Sequence, residues 1–185
     1  MAEEAPPPIV TVDREKRREE NFEKIVQQLG HEHIPYRVKA VEALGRIGDK
    51  RGVEPLIPLL NDSATDVQYV TTVALGKLRD PRAVDPLIQA LNDSARWVRQ
   101  GAACALGEIG DERAVDALIP LLEDKKKEVR VAAAEALGKI LDERGVEAGT
   151  ERAVSVLIRT LDDDEYEVRS AVRSALRKIT DKEEW

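Results

Sequence analysis

Aromatic side chains are scarce in this chain: Phe, Trp and Tyr together make up 3% of its 185 residues. A core built with so few rings must be aliphatic, and Leu, Ile, Val and Ala supply it at helix-compatible spacing. The only cysteine is Cys104, which excludes an intramolecular disulfide framework and points to a reducing compartment, the cytoplasm. A single Met and few Asn or Gln lean toward a heat-adapted source. No apolar run approaches the ~20 residues that cross a bilayer, so no membrane partner is expected. Positive charge is in deficit. The net charge of −7 argues against sequence-independent nucleic-acid binding, which needs a basic face to displace counterions from phosphates. It leaves room only for a local basic stripe. The segment from Met1 to Val12 is acidic and proline-rich with no apolar signal core, and reads as a disordered lead-in.

What the chain has in abundance is repetition. Ala-Leu-Gly recurs every 31 residues, at Ala43-Leu44-Gly45, Ala74-Leu75-Gly76, Ala105-Leu106-Gly107 and Ala136-Leu137-Gly138. Each Gly is followed four places on by Asp49, Asp80, Asp111 or Asp142. A period of this size marks a solenoid, in which each unit buries its apolar face only against its neighbours. Anchored on this motif, five units fall at about 13–48, 49–79, 80–110, 111–141 and 142–185. The first half of each unit has one apolar stripe, as in Val84, Leu87, Ile88 and Leu91, which predicts an amphipathic helix A. The second half has another, as in Val98, Ala102, Ala105, Leu106 and Ile109, which predicts helix B.

Local signals punctuate the units. Asn61-Asp62-Ser63 and Asn92-Asp93-Ser94 offer N-caps for helix B, and Asp49, Asp80 and Asp111 offer caps for helix A of the next unit. Pro55 and Pro86 fall near the start of helix A, where a missing N–H costs little, whereas Pro58 and Pro120 lie deeper and should kink it. The Gly of Ala-Leu-Gly sits inside helix B at a cost of roughly 1 kcal/mol against Ala. Close approach of the next unit's backbone is the simplest offset. The fifth unit carries Arg177 in place of that Gly and Arg173 where two others have Ala103 and Ala134, as a terminal capping unit should. The period breaks once, through eight extra residues at 143–150, read as a tolerated surface loop or a lip that touches a partner.

The run Gly-Asp-Glu-Arg-Ala-Val-Asp-Ala-Leu-Ile-Pro-Leu-Leu-Glu-Asp, followed by Val-Arg-Val-Ala-Ala-Ala-Glu-Ala-Leu-Gly-Lys-Ile, resembles the short HEAT-like repeats first named from phycobilin lyases. The resemblance covers about Asp13 to Thr180. It implies an all-α fold, a right-handed α-solenoid (superhelix) of five HEAT-like helix-pair repeats, with helix B lining the concave face. It also implies that Arg37, Arg99, Arg130 and Arg169, with Gln68 departing from the row, form a structural ladder with Asp49, Asp80 and Asp111, the alternative being an anion-binding row. The family is a scaffold and not one activity. It includes bilin lyase subunits, a di-iron hydroxylase acting on deoxyhypusine, relatives that excise alkylated bases, and adaptors.

The chemistry-bearing residues weigh against an enzyme. The hydroxylase needs His-Glu pairs after the helix B Arg, and this chain has Val38-Lys39, Tyr69-Val70, Gln100-Gly101, Val131-Ala132 and Ser170-Ala171 there. The pair His31-Glu32, with His33 beside it, lies in the first inter-helix turn and reads as a solvated turn. Glu42, Glu108 and Glu135 read as solvated helix-face carboxylates and not as an acid–base pair in a cleft. Cys104 has no His in its own repeat to act as base, so a packing or surface role is expected. No cofactor, metal or small-molecule substrate is inferred.

The non-core positions of helix B form rows across the units. Tyr69, Val70, Val73, Trp97, Gln100, Cys104 and Val131 cluster in units two to four, beside Arg96. An apolar patch with two large rings and no core duty predicts a protein partner, of unknown identity. Arg96, together with Arg46, Lys77 and Lys139 of a row that Glu108 interrupts, would steer acidic groups of that partner. The expected function is therefore a non-enzymatic interaction scaffold or adaptor. The alternatives are an accessory subunit of a cofactor- or chromophore-modifying enzyme and, less favoured, a nucleic-acid-binding module.

Overall fold

The computed structural model describes residues 9–142 and 151–180, all of whose regular structure is helical. The insertion at 143–150 lies outside the described residues, so its role as loop or lip is untouched. The first unit pairs α1 (Ile9–Gln28) with α2 (Ile34–Ile47). The second pairs α3 (Val53–Leu56) with α4 (Thr65–Leu78), and the third α5 (Val84–Ala90) with α6 (Arg96–Ile109). The fourth pairs α7 (Val115–Leu118) with α8 (Lys127–Asp142), and the fifth α9 (Glu151–Thr160) with α10 (Tyr166–Thr180). The chain is an all-α solenoid. Its first helix begins at Ile9, so positions 9–12, expected to belong to the lead-in, are helical.

Proline sets the form of helix A. In units two and four the α-helix gives way to 3-10 turns at Ile57–Asn61 and Ile119–Glu123, each with Pro58 or Pro120 at its second position. A proline there has no N–H for the carbonyl four residues back, and the tighter winding accommodates the loss. Unit three has Gln89 at the same register, and α5 runs unbroken. Asp49, Asp80 and Asp111 cap the turn that opens helix A, as expected: their side chains accept from the N–H groups of Arg51, Arg82 and Arg113.

The B helices pack directly on one another, α2 on α4, α4 on α6, α6 on α8 and α8 on α10. The Ala-Leu-Gly motif explains how. Leu44, Leu75, Leu106 and Leu137 fill the core and are fully buried. Each motif Gly faces the motif Ala of the next unit: a Cβ on Gly76 would lie 2.9 Å from Ala105 Cα, and one on Gly107 2.8 Å from Ala136 Cα. The expected backbone approach is therefore present, and it makes the B side the tighter side of the stack. In the fifth unit Arg173 and Arg177 are exposed, as befits an end.

Two arginine ladders tie the units together, and neither is the one expected. Arg37, Arg99 and Arg130 do not reach Asp49, Asp80 or Asp111. They reach forward to the A–B turn of the following unit: Arg37 to Asp62 (2.8 Å), Arg99 to Asp124 (2.8 Å) and Arg130 to Asp163 (2.8 Å). The same guanidinium also donates back to its own A–B turn, Arg99 to the carbonyls of Asp93 and Ser94 at 2.8 and 3.0 Å. One planar fork thus satisfies two turns at once, which Lys could not do. Burial pushes the Asp124 carboxyl up, but the Arg99 guanidinium and the Lys126 N–H outweigh it and hold the group below its ordinary range. Asp62 and Asp163 show the same balance with Arg37 and Arg130. These aspartates also correct the capping expectation. Asp62 and Asp93 accept from the N–H of Ala64 and Ala95 in the turn, and Ala64 and Ala95 themselves stand at the N-caps of α4 and α6.

The second ladder runs along the A side. Arg82 grips Asp80 of its own cap at 2.9 Å and reaches Glu54 of the preceding unit at 3.4 Å. Arg113 does the same with Asp111 and Asp85 at 2.9 and 3.1 Å. Hydrogen bonds from the Arg82 side chain hold Asp80 down at about 2. The helix A aspartates therefore have a partner row of their own, two residues on in sequence. The helix B arginines use the aspartates that precede helix B.

Candidate partner-binding face

Among the described residues, the five B helices side by side leave one flank that no other element covers. The rows expected there are on it. Tyr69, Val73 and Trp97 are 39, 37 and 46% exposed on this flank; the other exposed large apolar side chains, Ile34, Tyr36, Ile47, Ile158 and Tyr166, belong to units one and five. Val70, Gln100 and Val131 are half-buried beside them, and Cys104 is exposed. α4 presents Tyr69 and Val73 one turn apart, and α6 presents Trp97, Gln100 and Cys104. Gly101 lets the two helices close up here. A Cβ at that position would stand 3.3 Å from the Tyr69 ring and 2.1 Å from Thr72 Oγ1. The structure thus brings the expected apolar residues of units two and three together, with Val131 at the edge.

The cations divide into two groups. Arg96 stacks over the Trp97 ring at 4.3 Å and lies 3.8 Å from Glu128. It stiffens the indole and is partly neutralised. Lys139 donates to Glu108 at 2.6 Å, and Arg79 donates to the same carboxylate. Glu108 was expected to interrupt the basic row as a solvated acid. It instead bridges two units, and its carboxyl is held below the ordinary range by the hydrogen bonds from Lys139 and Arg79. Arg46 and Lys77 are exposed. Of the four expected steering cations, these two carry charge that no ion pair among the described residues offsets, whereas Arg96 and Lys139 are paired with Glu128 and Glu108.

Arg79 is the residue that sequence reasoning missed. It ends α4 with φ +48°, in the left-handed region, where α2 and α6 end in Gly48 and Gly110 with φ +73° and +76°. An Arg at a register held by Gly in units one and three was the visible signal. Together with Lys77 and Glu108 it rims a groove of about 620 Å³ between α4 and α6. Val73 and Cys104 form the groove's walls, with Gly76, Gly101 and Ala105 below.

The groups weighed for catalysis are occupied otherwise. Burial pushes the Cys104 thiol up, and Glu135 and Glu108 add to it against Lys139, so the thiol is not an activated nucleophile. His31 stacks on Tyr36 at 4.3 Å and its Nδ1 accepts from the His33 N–H at 3.0 Å, which locks the first turn. Among the described residues no three His, Cys, Asp or Glu side chains gather as a metal site, and no helix is long and apolar enough to cross a membrane.

The HEAT-repeat family model matches residues 22–106 and 84–177. The chain belongs to the HEAT-repeat family. No curated protein sequence matches it. Among solved structures it is similar to the CpcE–CpcF complex of phycocyanin lyase from Nostoc sp. PCC7120, at 25% identity and a TM-score of 0.75, covering 98% of this chain and 71% of that one. It is also similar to an engineered protein solved by the Northeast Structural Genomics Consortium, at 24% identity and a TM-score of 0.70, over 91% of this chain and 83% of that one. A designed armadillo repeat protein in complex with the peptide (KR)4 matches at 20% identity and a TM-score of 0.68, over 90% of this chain and 84% of that one. The latter two likenesses speak for the solenoid fold alone.

Proposed function

We propose that this HEAT-repeat chain is a non-enzymatic scaffold that binds a protein partner on its helix B face, with Tyr69 and Trp97 as anchors. The observation that carries the reading is the exposed apolar cluster of Tyr69, Val73 and Trp97 on a face whose neighbouring small residues pack backbone to backbone. Tyr and Trp have few rotatable bonds and lose little freedom on binding, and the Arg96 guanidinium stacked on Trp97 holds that ring further. Arg46 and Lys77 attract acidic groups of the partner, while Arg96 and Lys139 act through the pairs they already form. The lone thiol of Cys104 fits a reducing compartment such as the cytoplasm.

The test is a displayed peptide library panned against the immobilised chain. Selected sequences should lose more than ~1 kcal/mol, about fivefold or more in Kd, against Trp97→Ala, with the helical circular dichroism unchanged. Selected binders that hold Trp97→Ala and Tyr69→Ala as tightly as the parent would remove the site. Lys77→Glu should slow association in a manner that fades with added salt.

A second reading rests on the likeness to the phycocyanin lyase complex over nearly the whole chain. In it, the same face docks an enzyme subunit that modifies a chromophore or another cofactor. A visible absorbance band on mixing the chain with a bilin would favour it. Nucleic-acid binding is the weakest reading, because the net charge is −7 and Glu108 neutralises the centre of the basic row.

A further inference from the structure

The groove between α4 and α6 has a chemistry that Tyr69 and Trp97 do not share. Its walls, Val73 and Cys104, are apolar or weakly polar, and small residues give it depth. Unit three contributes Gly101 where the other units carry Lys39, Val70, Ala132 and Ala171; a Cβ there would meet Thr72 and Tyr69, so this Gly seats α6 on α4 and forms the groove's floor. The rim is cationic. Lys77, Arg79 and Glu108 line it, Lys139 pairs with Glu108 from the next unit and Glu135 lies near Cys104, so three cations face two carboxylates. Arg79 holds this place from a left-handed backbone conformation that disfavours any side chain. The same register is a left-handed Gly in units one and three, so the fold sets this backbone turn, and unit two alone among the three places a guanidinium on it at the groove mouth.

We infer that this groove takes one apolar side chain of an acidic peptide segment, whose adjacent carboxylate pairs with Lys77 Nζ and the Arg79 guanidinium. The inference rests on the reading of helix B as the partner face and narrows it to the partner's chemistry. A cationic rim around an apolar slot selects a carboxylate next to a Leu-like side chain and rejects a basic segment through like-charge repulsion.

Cys104 reports on the slot directly, since it is the only thiol in the chain and lies in the groove wall. The experiment measures the rate at which N-ethylmaleimide modifies Cys104 in the full chain, by mass spectrometry. With about 5 mM acetyl-ELLDE-amide and a Kd near ~1 mM, modification should slow about sixfold. The peptides acetyl-KLLKK-amide and acetyl-ESSDE-amide should leave the rate unchanged, and Lys77→Glu should abolish the protection by acetyl-ELLDE-amide. No protection by that peptide, or equal protection by either control, overturns the inference. Trp97 emission, read in the same titrations on a Trp185→Phe background, separates the two levels. An emission change without Cys104 protection ends the groove assignment and leaves the face reading standing.

Discussion

Replacing Gly107 with Ala tests the physical basis of the whole stack. Two effects of opposite sign meet at this position. Inside a helix, Ala is favoured over Gly by about 1 kcal/mol, so α6 taken alone should gain. The new methyl, however, would stand 2.8 Å from Ala136 Cα and 3.0 Å from Ala136 Cβ. Both atoms belong to a neighbouring helix backbone or its root and cannot rotate away. Ordinary carbon contacts begin near 3.5 Å, so α6 and α8 must part by several tenths of an ångström. Leu106 and Leu137, fully buried on either side of the contact, then lose close packing. Overpacking of this kind costs about 1–3 kcal/mol before relaxation. With the propensity gain and the loosened core both counted, a net loss of about 1–2 kcal/mol is expected. For a chain of this length that is roughly 2–8 °C in Tm. Urea unfolding followed by circular dichroism measures it. Gly30→Ala is the control, because a Cβ there meets nothing within 4 Å and should change stability by less than about 0.5 kcal/mol. A Gly107→Ala protein as stable as the parent would refute the claim that this glycine exists to let two backbones approach.

Three further outcomes follow from the ladders. Gln68 breaks the inner row and donates only to the Leu60 carbonyl at 3.2 Å, so Gln68→Arg should pair with Asp93 and raise stability by about 1 kcal/mol in thermal melts. No gain would mean that the fork needs more than register to form. Arg99→Ala should cost about 2–4 kcal/mol in chemical denaturation, since it leaves Asp124 with a side chain only 12% exposed and no counter-charge from Arg99; a loss under about 0.5 kcal/mol would demote the ladder to decoration. Asp62, Asp124 and Asp163 of the inner ladder and Asp80 of the outer one are held below their ordinary range, with Asp80 at about 2 against 3.8. Their contribution is complete above pH ~4 and fades as the pH falls toward ~2, where the unfolded chain binds protons that the folded one resists. Stability measured against pH should show that acid limb, and Asp80→Asn should flatten it.

The fold was legible because its rules are repeated. A Val, Leu, Ile and Ala pattern at helical spacing, written out five times, averages away the ambiguity that any one copy carries. The prolines were legible for the same reason: Pro58 and Pro120 turn helix A into 3-10, and Gln89 at the same register leaves it intact. The arginine pairing was not legible. Sequence gives the rows but not the tilt between neighbouring units, and that tilt decides which Asp a side chain as long as Arg reaches. Two Asp rows were available to each Arg row, and the nearer row in sequence was the wrong one for helix B.

The site divides in the same way. That Tyr69, Val73 and Trp97 share a face follows from period and register alone, since each falls on a helix B position that the core does not use. What the face can attract depends on which charges are already satisfied, and no periodicity reports that. Lys77 and Lys139 occupy the same row and look alike in sequence. Only the fold sets Lys139 2.6 Å from Glu108, and only the left-handed turn at Arg79 brings a second cation to that acid. A repeat protein uses its conserved-looking rows to hold itself together. Its individuality lies where one unit departs from the register of the others, at Gly101, Arg79 and Gln68. Those departures are therefore where binding experiments on this chain should begin.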